Sequence, residues 1–319
     1  MASIPFGDYL LNERIGLGGT AEIFRAARRG RRPGEPEVAL KRLLPPLAED
    51  PEIAKLFLRE VGALDRIRHP GVVRLLDHGE VAGLPFLVMP LHDGATLREL
   101  LQRGPLPSPV ALTVAADVAL ALTAAHAEGV VHRDVSPTNV LIDAQGHVLV
   151  IDFGIARVAG LAQTTKGGAL RGKWPYLSPE QVAGEPIDGR SDLFALGSVL
   201  CEMLTGAPPF QGSDPHDTMA RIQIAEWPEP PIDDREISRW LKRLLSRLPT
   251  DRPADVAGMA AAWQAMAGDV EARLALAERV ARIERPGPRR ELVPAELRGE
   301  PVTQPQFDAD ATQVRRALA

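Results

Sequence analysis

His132-Arg133-Asp134-Val135-Ser136-Pro137-Thr138-Asn139 is followed by Val140-Leu141-Ile142 and, after a turn at Gln145-Gly146, by Val148-Leu149-Val150-Ile151-Asp152-Phe153-Gly154. The two β-branched runs read as a small hairpin. Asp134 then stands before the hairpin, Asn139 at its start and Asp152 at its end. A carboxylate that accepts a hydroxyl proton, with an amide and a second carboxylate that hold a divalent metal against phosphate oxygens, is what phosphoryl transfer requires. Ordinary turn residues would have no reason to fall in the order H-R-D-x-x-x-x-N and then D-F-G.

Other elements must carry a nucleotide to that hairpin. Tyr9 to Ile15 and Glu22 to Ala26 read as strands around Gly16-Leu17-Gly18-Gly19-Thr20-Ala21, where glycines let backbone approach phosphates closely. The third glycine position of that pattern is Ala21. Val38-Ala39-Leu40-Lys41 is a strand whose alternation turns Lys41 into a cleft. Glu60 lies in an amphipathic helix that starts near Pro51. Val72 to Leu76 and Phe86 to Met89 read as two further strands. After Asp93-Gly94 the pattern becomes helical: Thr96 to Gln102, then Pro109 to Glu128, ended by Gly129. Ala119, Leu120, Leu122, Thr123 and His126 read as packing residues. Further helices are expected near Pro215 to Ala225, Glu236 to Ser246 and Ala254 to Ala267.

From about Tyr9 to about Ala267 the chain resembles the eukaryotic-like serine/threonine protein kinases of bacteria. The resemblance implies an α+β, bilobal protein-kinase fold: a five-stranded antiparallel β N-lobe with one helix over residues 1–91 and a mainly helical C-lobe over 92–267. It implies ATP and Mg2+ as cofactors and proteins with serine or threonine acceptors as substrates. Ile15, Gly16, Leu17, Gly18 and Gly19 would cover the nucleotide, and Ile23, Ala39 and Leu141 would sandwich the adenine. Met89 would be the gatekeeper, with Pro90-Leu91-His92 the hinge. Proline has no N–H to give, but the family uses the carbonyl at that position and the backbone donor of the residue at His92. Lys41 paired with Glu60 would hold the phosphates. Asp134 would orient the acceptor and take its proton, while Asn139 and Asp152 hold magnesium. His132 would stack with Leu64, Leu75 and Phe153 in a column joining the lobes. Arg133 would meet a phosphate on Thr164 or Thr165. Glu180 of Tyr176-Leu177-Ser178-Pro179-Glu180 would pair with Arg252, and Asp192 would hold the catalytic-loop backbone.

Two positions depart from the family pattern. Lysine is normal two residues after the catalytic aspartate, and threonine after the glycine that precedes the A-P-E tyrosine; here they are Ser136 and Lys173. A hydroxyl and an ammonium have traded places. The family places those side chains in contact across the active site, so Lys173 is expected to supply the cation and Ser136 the hydroxyl. The scarcity of lysine supports this, since only Lys41, Lys55, Lys166, Lys173 and Lys242 occur.

Composition bounds the rest. The 319 residues are 45% hydrophobic, enough for a large core. No apolar run is read as a membrane span, and no signal peptide is evident, so a cytoplasmic protein is expected. A single cysteine, Cys201, cannot form an internal disulfide. The net charge of −5 argues against general nucleic-acid binding. Residues 268–285 are expected to prolong the last helix, with apolar positions at Leu276, Val280 and Ile283. Residues 286–319 read as a disordered tail whose Thr303 and Thr312 are candidate autophosphorylation sites for a phosphopeptide-binding partner. The competing reading is a pseudokinase scaffold that binds nucleotide and partners without turnover. It predicts a missing essential residue, yet Lys41, Glu60, Asp134, Asn139 and Asp152 are all present. Small-molecule phosphotransfer on the same fold would not need the A-P-E-like segment.

Overall fold

Alternating strands of the first 90 residues build one antiparallel sheet: β1 (Ile4–Phe6), β2 (Tyr9–Leu17), β3 (Ala21–Arg28), β4 (Val38–Leu43), β5 (Asp77–Val81) and β6 (Leu84–Pro90), in the order β1-β2-β3-β4-β6-β5. The computed structural model describes residues 3–32, 34–153, 174–228 and 232–283. The expectations for Gly154, Thr164, Thr165, Lys173, Thr303 and Thr312 therefore lie outside the described residues, as does the side chain of Glu60.

The sheet has six strands where five were expected. The addition is β1, whose three residues are too short to show a period. It turns back at Gly7 (φ 56°) and pairs Ile4 with Leu11, which lays Phe6 on the outer face of the sheet. There it joins Tyr9, Leu11, Phe24, Ala26, Leu40, Phe86 and Val88 in a separate small core. Cross-strand partners share a face, and the register pairs Ile23 with Lys41 and Ala39 with Met89. These four residues point the other way, into the cleft.

A second correction concerns Val72 to Leu76. This run is β-branched and apolar, yet it is not a strand of the sheet. Val72 forms one parallel bridge to Val150, Val73 N donates to Val150 O at 3.2 Å, and Val150 N donates to Gly71 O at 2.8 Å. The segment leaves the sheet to bind the other lobe, and the strand proper begins only at Asp77.

Behind the sheet lie α1 (Pro45–Ala48) and α2 (Pro51–Leu64). Apolar Ile53, Leu56, Phe57, Val61 and Leu64 recur at helical spacing along α2 and are all buried. The second lobe contains a three-stranded sheet, β7 (Gly94–Thr96), β8 (Val140–Asp143) and β9 (Val148–Val150), together with α3 (Leu97–Leu101), α4 (Ser108–Ala127), α5 (Pro179–Ala183), α6 (Gly189–Thr205), α7 (Pro215–Ile224), α8 (Arg235–Leu244), α9 (Val256–Ala267) and α10 (Asp269–Ala281).

Helix α4 is long and apolar enough to cross a membrane, contrary to the sequence expectation, but 67% of that apolar window is buried inside the fold. Its all-round apolarity is explained by α6, α9 and α10, which pack around it. Helix α10 does not prolong α9. Gly268 adopts φ 65° between them, and α10 turns back to lie on α4 and β8, burying Ala272, Leu276 and Val280. Arg273 fixes it with two bonds to Asp117, at 2.7 and 3.0 Å. Burial pushes the Cys201 thiol up to about 11, which leaves it an inert core residue.

Candidate active site

The segment 132–139 is held by hydrogen bonds to groups far away in sequence. His132 N and Arg133 N donate to the two carboxylate oxygens of Asp192 at 2.8 and 2.7 Å, and His126 Nε2 meets the same carboxylate at 2.7 Å. From the other side, Gln181 Nε2 of α5 donates to Arg133 O at 3.0 Å. So constrained, Arg133 sits at φ 66°, a left-handed conformation that non-glycine residues rarely adopt. Asp152 does the same at φ 56°. The two left-handed residues flank the proposed site, Arg133 directly before Asp134 and Asp152 two residues after β9.

Asp134 and Asn139 are locked together. Asn139 Nδ2 donates to Asp134 O at 2.8 Å and to Asp134 Oδ2 at 2.9 Å. Both partners are acceptors, which fixes which end of the amide faces them and turns Asn139 Oδ1 the other way. The Asn139 carbonyl accepts from Ile151 N at 3.0 Å, tying the start of the hairpin to the residue before Asp152. Asp152 Oδ1 then accepts from Lys41 Nζ at 3.1 Å, a contact that joins the two lobes. Positions 41, 134, 139 and 152 are thus linked in one chain, through side chains from 134 to 139 and from 152 to 41 and through backbone between 139 and 151.

An amide oxygen and a carboxylate are hard donors. They suit a magnesium ion that completes its shell with waters and phosphate oxygens. No group of three or more His, Cys, Asp or Glu side chains able to hold a metal occurs among the described residues.

The remaining sequence candidates distribute around this centre. Ile15, Gly16 and Leu17 end β2, with Ile15 and Leu17 exposed, and Gly18 and Gly19 begin the turn to β3, which Gly18 N closes on Ala21 O at 2.8 Å. Ile23, Ala39 and Met89 lie on the cleft face. Pro90 ends β6, and His92 follows half-buried, its imidazole lowered in pKa by that burial. Leu141 is in β8, paired with Thr96 and Leu149. Ser136 is buried, its Oγ 3.0 Å from Thr138 Oγ1, so no cation is present at that position. Glu60 is on α2, and its side chain lies outside the described residues.

The model for the protein kinase domain matches residues 9–265. The chain belongs to the protein kinase family. The kinase is 42% identical over 236 residues to serine/threonine-protein kinase PknB of Mycobacterium leprae, covering 72% of this chain and 37% of that protein. It is 36% identical over 312 residues to a probable serine/threonine-protein kinase of Corynebacterium efficiens, covering 92% of this chain and 46% of the relative. The chain thus spans less than half the length of these relatives. Among solved structures it is similar to the kinase domain of Mycobacterium tuberculosis PknI, with a TM-score of 0.63 and 28% identity over 83% of this chain and 98% of that one.

The kinase fold also explains ties that sequence periodicity could not show. Glu180 and Arg252 form a buried two-pronged pair at 2.6 and 2.9 Å, with Ser191 Oγ completing the carboxylate's bonds at 2.5 Å. His126, read as a packing residue, instead holds Asp192. Tyr176 is buried between Arg98 of α3 and Glu202 of α6, donating to Glu202 Oε2 at 2.5 Å. It ties the chain beyond the undescribed segment to both helices.

His132 carries a pH prediction. Its ring is buried 4.6 Å from that of Phe153, and Leu64 and Leu75 belong to the same core. Nδ1 accepts from Asp134 N at 3.2 Å and Nε2 donates to Ile151 O at 3.1 Å, so the ring is neutral and protonated on Nε2. Burial lowers its pKa below the ordinary 6.5. Below that ordinary value the unfolded chain takes up a proton that the folded ring refuses, so stability falls as pH drops. Half-buried His69 and His92 are shifted the same way. Thermal melts from about pH 7 to about pH 5 are expected to show a falling midpoint. In His132→Tyr the slope is expected to be shallower by up to about 1.4 kcal/mol per pH unit. An unchanged slope would mean that the ring is not held neutral.

Proposed function

We propose that the kinase transfers the γ-phosphate of magnesium-bound ATP to serine or threonine hydroxyls of proteins, its own chain included. The observation that carries this reading is the contact chain from Asp134 through Asn139 to Asp152 and Lys41, which spans both lobes. ATP with its metal supplies the phosphoryl group and much of the charge neutralisation. The protein supplies position. Lys41 holds the phosphates from the cleft face of the sheet, Asn139 and Asp152 orient the metal, and Asp134 aligns the acceptor hydroxyl and takes its proton. The names of the relatives support serine and threonine as acceptors. Incubation of the chain with labelled ATP and magnesium, alone and with a generic protein acceptor, is the test. Label on serine or threonine is expected; nucleotide binding with no label anywhere would favour the pseudokinase scaffold.

Within this reading Lys173 replaces the cation missing at Ser136. The scarcity of lysine in the chain supports the exchange. Lys173→Ala is expected to lower kcat by about 10²-fold, the usual effect of removing one charge-stabilising donor, with ATP affinity unchanged. The double exchange Ser136→Lys with Lys173→Thr is expected to recover most of that loss in steady-state assays. A near-normal single variant would refute it.

A further inference from the structure

The outer face of the first-lobe sheet is mainly apolar, yet beside the glycine-rich turn it buries a pair of charges. Glu22 and Arg42 are direct cross-strand partners on that face, and they are only 5% and 2% exposed. Arg42 Nη2 donates to Glu22 Oε2 at 2.5 Å, and its guanidinium lies between the rings of Phe6 and Phe24, 5.4 and 5.3 Å from their centres. The second carboxylate oxygen, Oε1, takes Arg14 Nη1 of β2 at 3.1 Å. One buried carboxylate is therefore gripped from the strand on either side of it.

Its location gives this grip a consequence. Glu22 is the second residue of β3, immediately after the glycine-rich turn. On the β4 side that turn is fixed by backbone: Leu44 N donates to Thr20 O at 2.9 Å. On the β2 side the ladder slips between Leu11 and Glu13 and again between Arg14 and Gly16. The bond from Arg14 to Glu22 spans the second slip, where regular backbone pairing is interrupted. The residues next to Glu22 and Arg42 are Ile23 and Lys41, themselves cross-strand partners facing the cleft.

We propose that Glu22 is a positioning residue for nucleotide binding: through Arg14 and Arg42 it sets the glycine-rich turn at the height over the cleft, and relative to Lys41, that ATP requires. This rests on the ATP-dependent reading above. A buried charge cluster is a poor way to gain stability, because apolar residues of the same shape serve as well or better. What charges with a fixed hydrogen-bond geometry add is a single register for three strands beside the glycine-rich turn.

The test uses the full chain and three variants: Arg14→Met, which removes one partly exposed arm; Glu22→Asp, which keeps the charge but shortens its reach; and Glu22→Leu with Arg42→Met, which removes the buried charges together. Steady-state kinetics against a fixed protein acceptor, fluorescent-nucleotide titration and thermal melts are read for each. The expected result is a KM and Kd for ATP raised about tenfold in the charge-free pair and about threefold in Arg14→Met, with the acceptor KM unchanged and the melting of Arg14→Met close to wild type. Wild-type ATP affinity in Arg14→Met, or in any folded variant lacking the Glu22 carboxylate, would overturn the proposal. A wild-type protein that fails to bind ATP would instead remove the reading beneath it.

Discussion

Replacing Asp134 with asparagine is expected to slow phosphoryl transfer by about 10³-fold, within the range for loss of a general base, and to leave ATP affinity within about twofold of wild type. The substitution separates two jobs that the aspartate does. Its carboxylate is the proposed proton acceptor, and it also receives Asn139 Nδ2 at 2.9 Å. An asparagine can keep its carbonyl oxygen toward Asn139, and the second bond from Asn139 Nδ2, to the backbone carbonyl at 134, does not involve the side chain at all. The amide proposed to hold the metal therefore stays in place while the basic group is lost. Single-turnover transfer from labelled ATP, paired with nucleotide titration, measures the two separately. Undiminished transfer would assign the proton to another group. Loss of nucleotide binding would show that the side chain at 134 supports Asn139 more than the backbone does.

What the sequence reveals about this site is governed by distance along the chain. Asp134, Asn139 and Asp152 are readable because one hairpin gathers them, and a hairpin is a local structure whose turn and β-branched arms are spelled out in consecutive residues. The bilobal α+β fold follows from the same motifs through family resemblance. The misreadings occur where a distant partner decides. Val72 to Leu76 has the composition of a strand, but β9 competes for its backbone and leaves a single bridge. Strand β1 matters because Phe6 closes an outer core that no local pattern near residue 6 announces. The turn at Gly268 is visible as a glycine, yet only the landing site of α10 on α4 and β8 distinguishes a break from a tolerated helical glycine. Charge on a strand is still less informative: Glu22 and Arg42 look like surface residues until the register sets them opposite each other under Phe6.

Asp192→Ala is expected to cost about 3 kcal/mol of stability and to lower kcat by more than its effect on folding explains. The carboxylate is buried on the first turn of α6 and accepts three hydrogen bonds, two of them from the backbone N–H groups of His132 and Arg133. Alanine leaves both of those donors buried without their acceptor, at about 1–3 kcal/mol each. Release of the left-handed backbone at Arg133 offsets part of that cost, since a strained residue of this kind holds about 1–3 kcal/mol. The same release removes the constraint that aims Asp134, because Arg133 is its immediate neighbour. For a domain of this size the midpoint of thermal unfolding should fall by about 6–12 °C. Assays well below that midpoint should still show reduced kcat, with KM for ATP little changed, as Lys41 and Asp152 are untouched. Asp192→Asn, which keeps one acceptor oxygen but must turn an amide toward the other donor, should fall between alanine and wild type. If the alanine variant melted early yet turned over normally in the cold, the strained backbone would be a by-product of packing, and the aim of Asp134 would rest on Gln181 and His132 instead.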